Sequence, residues 1–424
     1  MSERASSQAP LAQQIFSKRM LICVFTGFAS GMPLYVLLNL VPAWLSESGV
    51  SLAAIGLFAL VGMPYNWKFL WAPLMDRFVP FPLGKRRSWM LIFQVALILA
   101  IGAMGLVDPS ENLSLVAVFA FAVALFSASQ DISIDAYRRE LLPDAELGLG
   151  NSIHVATYRL STLVPGSLSL VLADRLPWNL VFLITASFML LGVLMTTVVN
   201  EPRRQLERAL GIRDTFSKPF IEYLERKGLR SLLIVLAFLV LYKLGDNMAT
   251  ALSTPFYLEL GFTMTEIGLV AKTAALWAVL IGGLFGGIVM LRLGINRALW
   301  VFGVVQILSI FGFAYLANQA PNLWLLAGVI AFEYFGVGLG TAALTAFMAR
   351  ETNPTFAATQ LALFTALATV PRTFVNASTG FISDALGWSS FFLLCACFAI
   401  PGLLMLPWVA PWGQEASDAA ADGG

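Results

Sequence analysis

Asp131 and Asp135 stand four residues apart in the stretch "FSASQDISIDAYRRELLP", Phe126 to Pro143, directly behind the unbroken apolar run "LSLVAVFAFAVALF". At that spacing two side chains share one face of a helix. Carboxyls on a water-poor face have three uses: to neutralise a cation, to hold a cationic group of a ligand, or to take up and release a proton. Lys68, Arg159, Lys243, Asp246, Lys272, Glu333 and Arg372 interrupt other apolar runs in the same way. Lys243 and Asp246, three apart, suit mutual neutralisation, and Asp135 suits pairing with Arg138 or Arg139. Lys68, near the end of its run, is placed to snorkel toward polar surroundings.

Asp131 has no basic residue within four positions. That isolation makes it a candidate for proton coupling or ligand recognition, with a salt bridge to Arg159 as the resting alternative. Glu333, alone among the glycines of "GVIAFEYFGVGLG", is the second proton candidate, and Asp246 the third. Gly336, Gly338 and Gly340 beside it suit close helix packing. Arg159, Lys243, Lys272 and Arg372 form a cationic set that favours an anionic ligand, since Arg forks onto carboxylates. Asn39, Gln130 and Gln360 add the neutral hydrogen-bonding groups that sugars and amides need.

Some chemistries are excluded. A single histidine, His154, leaves no His-based metal site or triad and reads as a packing residue. Cys23, Cys395 and Cys397 all lie inside apolar runs, where cysteine behaves as a small hydrophobe, so no disulfide framework or metal site is expected. The connecting segments carry no acidic metal-binding cluster or catalytic base. Neither an enzyme nor a nucleic-acid binder is expected, and no cofactor.

What must position these residues is a set of membrane spans. The chain has 424 residues, 58% hydrophobic and 12% charged, with a mean hydropathy of +0.79. Soluble proteins carry about twice that charged fraction. With about 20 apolar residues per crossing, twelve spans are expected: 20–46, 51–75, 88–107, 113–137, 150–173, 178–199, 231–258, 266–291, 297–317, 322–349, 357–382 and 388–410. The first is too long for a signal peptide and reads as a retained span. The connector from Asn200 to Arg230 divides the chain. The expected organisation is thus an all-α membrane protein with a six-helix bundle over 1–199, a cytoplasmic connector over 200–230, a second bundle over 231–410 and a polar tail over 411–424. Twenty of the 26 Lys and Arg then fall on one side and only Arg175 on the other, which places both termini in the cytoplasm.

The halves repeat. "PAWLSESGVSLAAIGL" from Pro42 and "PFYLELGFTMTEIGL" from Pro255 share a pattern of Pro, aromatic, Leu, Gly, Ser or Thr, and Ile-Gly-Leu. The prolines are 213 positions apart, as are Arg159 and Arg372, and "DRLPW" at 174 matches "DALGW" at 384. A parallel six-plus-six repeat resembles the major facilitator superfamily, which implies a substrate site between the halves near the bilayer midplane. The loop "LMDRFVPFPLGKRRS" resembles that superfamily's Asp-Arg-x-Gly-Arg-Arg motif with five extra residues before Gly84. The resemblance implies that Asp76, Arg77, Gly84, Arg86 and Arg87 latch a cytoplasmic gate; the alternative is that they only anchor a helix end at the headgroups. "GIVMLRLGINR" looks like a decayed copy, with Leu291 where the acid would be.

"GFASGMPL", "KFLWAPLMDR", "FSASQDISIDA", "YRL" at Arg159, "LYKLGD" and "AKT" at Lys272 resemble the AmpG family of muropeptide permeases through all twelve expected spans. The resemblance implies a monomeric proton symporter of the bacterial inner membrane, driven by the proton gradient. Its substrates would be N-acetylglucosaminyl-1,6-anhydro-N-acetylmuramyl peptides, imported for cell-wall recycling, whose products signal β-lactamase induction in some bacteria. It carries over Gln130, Asp131, Arg159, Lys243, Asp246, Lys272, Glu333 and Arg372 as functional positions. Some members continue beyond the twelfth span, whereas this chain ends "GQEASDAAADGG", and His154 does not match the family pattern. A carrier of another anion, such as acetyl-coenzyme A, and a non-transporting membrane sensor are the rival readings.

Overall fold

A backbone crossing lipid must satisfy its own hydrogen bonds, and the helix does so locally. The structure, a computed structural model, describes residues 11–50, 58–202, 212–263 and 266–413, with side chains at all of these except 11, 12, 59, 212–216 and 369–378. Among the described residues every regular element is a helix, and nine tracts are long and apolar enough to cross a membrane. Helix ends fall where caps are available. Asn112 accepts from the Leu115 N–H at the start of Leu113–Leu141, and Asn322 accepts from Trp324 and Leu325 at the start of Leu323–Glu351. Arg138 and Arg139 occupy the last turn of Leu113–Leu141, where cations suit the negative helix end.

Three expected runs take a different form. Those at 266–291 and 297–317 make one 50-residue tract, Ile267–Leu316, about 75 Å if straight and far longer than a bilayer core of about 30 Å. Gly294 breaks it with φ 75° and ψ 167°, a left-handed conformation that glycine adopts without steric cost, so two helices meet there. From Phe58 the second run is a chain of short helices, Phe58–Gly62, Met63–Trp67, Lys68–Leu70 and Ala72–Arg77, two of which have Pro at their first positions. The connector contains a helix of its own, beginning at Ile212 and breaking at Gly228 before it continues to Leu241. Parts of both repeat stretches, Arg4, Arg203, Arg204, Arg208 and the tail from 414 lie outside the described residues.

Wide π turns occur at Val36–Leu40, Val164–Leu168 and Ile267–Ala271. Such turns recur at functional positions. The first carries Asn39 and the third ends at the residue before Lys272.

The chain forms two compact units: Met1–Pro143 with Ile153–Ile221 and Thr352–Ala366, and Asp144–Ser152 with Glu222–Glu351 and Leu367–Gly424. The first is cored by Trp44, Leu97, Met104, Val123 and Phe182, with the Trp44 and Phe182 rings edge to face at 4.8 Å. The second is cored by Phe256, Phe313, Phe391 and Phe392, and rings 256 and 392 meet edge to face at 4.8 Å.

Candidate functional site

In the first unit, Gly27 and Gly31 stand four apart on the helix Lys18–Tyr35. A Cβ at either would come 2.3 Å from a carbonyl of Leu147–Leu160, that of His154 or Tyr158. The two helices therefore touch backbone to backbone, as small residues four apart allow. Ser30, between the glycines, donates its hydroxyl to Asp131 Oδ1 at 2.5 Å. Gln130 donates through Nε2 to the Ala29 carbonyl at 2.7 Å, while its Oε1 is buried without a partner. One turn on, Asp135 pairs with Arg138 at 2.8 Å and with Lys68 at 3.9 Å. His154 is buried with Nδ1 3.3 Å from Thr26 Oγ1, a packing arrangement. Asn39 donates to Thr162 Oγ1 at 2.9 Å beside Gly166, where a Cβ would come 2.8 Å from the Asn39 amide nitrogen. Arg159, on the next helix, is half-buried and engaged.

In the second unit the expected seventh span breaks at Tyr242–Lys243, between Ile212–Leu241 and Leu244–Ala251. The Lys243 ammonium pairs with Asp246 Oδ2, and lies 3.1 Å from Gln306 Oε1 and 3.4 Å from the Val337 carbonyl. Asp246 Oδ1 is buried without a partner. Glu333 is 0% exposed, and among the described residues no donor meets either of its carboxylate oxygens in good hydrogen-bond geometry, Ser309 being the nearest candidate; the Tyr257 hydroxyl, with Ser253 beside it, is in the same position. Each such group costs about 1–3 kcal/mol, more if charged, so the fold gives up stability here. Lys272 donates to Thr254 at 3.1 Å in an exposed position. Arg372 belongs to the helix Ala357–Leu386, but its side chain lies outside the described residues.

The loop motif makes the densest network, within the first unit. Arg86, fully buried, donates to Asp76 Oδ1 at 2.7 Å, to Glu140 Oε1 at 2.7 and 2.9 Å, and to the Met75 carbonyl at 3.2 Å. Gly84 has φ 106°, and a Cβ on it would come 2.5 Å from the Glu201 side chain. Glu201 accepts from the backbone N–H groups of Arg86 and Arg87 at 2.7 and 3.1 Å, a carboxylate at a helix N-terminus. Burial pushes the Glu201 carboxyl above its ordinary range, and these two bonds oppose that rise. Arg87 donates to the Thr196 and Thr197 carbonyls, and Arg77 lies over the Phe78 ring at 4.9 Å. The other oxygen of Asp76 accepts from Thr359, N–H at 2.9 Å and Oγ1 at 2.7 Å, in the first turn of Ala357–Leu386. Ala357, Ala358 and Ala362 pack there against Ala72, Met75, Ile132 and Ala136. Gln360 is committed to backbone, accepting from the Asn353 N–H at 2.7 Å and donating to the Pro219 carbonyl at 2.9 Å.

The structure thus gathers Gln130 and Asp131 on one helix pair, and Lys243, Asp246 and Glu333 in the second unit. It gives Gln360 a backbone-tying place. Ser30, Glu140, Glu201, Gln306 and Thr359 escaped the sequence reading. A signal existed for two of them: Glu140 directly follows Arg138-Arg139, and Gln306 is a lone amide in "GVVQILSIF".

Residues 23–375 match the family model of the Major Facilitator Superfamily. An uncharacterized protein of Haemophilus influenzae is 49% identical over 414 residues, 96% of this chain and 97% of that one. The anhydromuropeptide permease of Escherichia coli K12 is 38% identical over 390 residues, 92% of this chain and 79% of the permease. The proton:xylose symporter XylE, solved with 6-bromo-6-deoxy-D-glucose, superposes with a TM-score of 0.69 at 13% identity, covering 94% of this chain and 96% of XylE. The transporter FucP in its outward conformation gives 0.68 at 13% identity, covering 95% and 99%. At such identity these two share the fold. With the apolar tracts and the relatives in agreement, the protein is a multi-pass transporter of the bacterial inner membrane, needs no cofactor and is not an enzyme. The chain belongs to the Major Facilitator Superfamily and, within it, to the AmpG permease family.

Proposed function

We propose that this transporter imports N-acetylglucosaminyl-1,6-anhydro-N-acetylmuramyl peptides from periplasm to cytoplasm, coupled to proton entry, by alternating access. It acts as a monomer of twelve spans with both termini in the cytoplasm, built as bundles over 1–199 and 231–410 joined by the connector at 200–230. The substrate follows the 38% identical permease of Escherichia coli. Amide and hydroxyl partners at Asn39 and Gln130 suit its sugars, and Arg159, Lys243, Lys272 and Arg372 suit its peptide carboxylates.

Support for coupling comes from one observation, the full burial of Glu333 with no cation paired to it and no well-aligned donor on either oxygen among the described residues. A carboxylate without donors is costly to bury charged, so a proton must come and go as its surroundings change. Asp131 and Asp246 are the further proton-exchanging acids. Asp76, held at once by Arg86 and by the first turn of Ala357–Leu386, serves as the cytoplasmic latch.

The test is uptake of labelled anhydromuropeptide into proteoliposomes with and without an imposed pH gradient, with acetyl-coenzyme A as unlabelled competitor. Accumulation that requires the gradient and ignores the competitor is expected. Uptake that is indifferent to the gradient, or is displaced by acetyl-coenzyme A, overturns the reading.

A further inference from the structure

Part of the second unit is shaped to hold the amide of Gln306. Gln306 is 3% exposed on Lys272–Leu316. Its Oε1 accepts from Lys243 at 3.1 Å, and its Nε2 donates to the Phe302 carbonyl at 3.3 Å. Tyr242, the residue before Lys243, donates its hydroxyl to the Leu299 carbonyl at 2.9 Å, two turns away on the same helix. Both residues of the helix break are therefore fastened to one neighbour. The facing helix, Leu323–Glu351, makes room. A Cβ at Gly340 would stand 2.2 Å from Gln306 Nε2, and one at Gly336 would stand 3.0 Å from Ser309 Oγ. Between those glycines Val337 offers its carbonyl to Lys243. Here glycines admit a polar layer between two helices.

The ionisable groups around that layer are few. Asp246 comes from the segment of Lys243 itself, and Glu333 from one turn before Val337. Tyr257 of Ser253–Glu259 and Cys395 of Trp388–Leu404 are within electrostatic reach of Glu333. Lys243 thus has one charged acceptor and two neutral ones. A hydrogen bond to a charged acceptor is roughly twice as strong as a neutral one. An incoming carboxylate can therefore displace the Val337 carbonyl, the longest of the three contacts, without separating Lys243 from Asp246 or Gln306.

We propose that Gln306 is a positioning residue that holds the Lys243 ammonium at the helix break as the subsite for a substrate carboxylate. This rests on the reading of the chain as a muropeptide carrier and names the group that Lys243 takes.

The test uses the full-length chain in proteoliposomes with two probes, a labelled anhydromuropeptide with free peptide carboxylates and the same molecule with those carboxylates amidated. Gln306→Leu raises KM for the first probe about tenfold, leaves its maximal rate within about twofold, and leaves KM for the amidated probe unchanged. Gln306→Glu keeps the shape but puts a competing carboxylate on Lys243, and it raises KM for the first probe further. Gly340→Ala, which must displace the amide, moves KM in the same direction. An unchanged KM in both Gln306 variants overturns the assignment, and so does an equal loss with both probes, the mark of a merely structural role. If Gln306→Leu does not reach the folded state, Gln306→Glu decides by the same split. Wild-type protein that accumulates neither probe under a gradient overturns the carrier reading itself; normal wild-type uptake with unaffected variants overturns only the role of Gln306.

Discussion

The two units hold their deep acids in contrasting ways. In the first, Asp131 accepts a 2.5 Å bond from Ser30, Asp135 has two cationic partners, and Arg86 ties Asp76 to Glu140. In the second, among the described residues, Glu333 has no well-aligned donor on either oxygen and Asp246 has a partner on a single oxygen. A satisfied network specifies one packing and resists change, whereas unsatisfied buried groups lower the cost of leaving it. The contrast is confined to the acids, since Gln130 Oε1 in the first unit is also buried without a hydrogen-bond partner among the described residues.

The largest expected effect is at Asp131. Asp131→Asn keeps an acceptor for Ser30 but removes the exchangeable proton, so gradient-driven accumulation is lost while some substrate exchange persists. Full concentrative uptake by this variant removes Asp131 from the coupling and leaves the second unit to act alone.

Arg86→Gln comes next, because it leaves Asp76 and Glu140 buried without their cation. Breaking a buried pair in this way costs about 3–5 kcal/mol, visible as a large fall in thermal stability in detergent. Glu333→Gln sharpens the contrast, since an isosteric neutral group loses no partner. Its stability falls by less than that of Arg86→Gln, as thermal unfolding in detergent would show, while coupled uptake falls. A loss of stability as large as that of Arg86→Gln would break the comparison.

Ser30→Ala removes the donor to Asp131 Oδ1 and lowers the melting temperature by less than Arg86→Gln does. Because Asp131 is only 8% exposed, little water replaces the lost donor. The smallest effect is at Glu266, which shows that the second unit does partner an acid where water is near. Glu266 accepts from the Thr263 N–H at 2.8 Å and hydroxyl at 2.9 Å, and these bonds lower its carboxyl below the ordinary range. A carboxyl lowered on folding adds stability above its unfolded titration range and loses it as pH falls through the folded one. Glu266→Gln should therefore lower the melting temperature slightly at neutral pH and not at strongly acid pH.

Much of the local chemistry was legible in advance. The pairs Asp135–Arg138 and Lys243–Asp246 follow from a spacing of three, which a helix turns into contact. The glycines of "GVGLG" announced close packing, and the contact at Gly340 is of that kind; the contacts at Gly27 and Gly31 were not read from the sequence. What was not legible was any partner on another helix. Gln360 looks like a recognition amide in sequence and is occupied by the Asn353 and Pro219 backbone. Gln306 looked like an incidental amide and holds Lys243. Nor was the pairing of Glu351 with Tyr223 at 3.3 Å and Lys227 at 3.6 Å legible, since both partners lie on the connector's helix.

Amino-acid order alone determined that this chain is helical, lies in a membrane, repeats itself, and carries charges too deep to be idle, because hydropathy and helical period act over neighbouring residues. Tertiary structure alone decided that Ser30 serves Asp131, that Thr359 serves Asp76, and that Lys243 is shared between Asp246 and Gln306. Those outcomes depend on how each helix is rotated and where it crosses the next, quantities that no local pattern encodes.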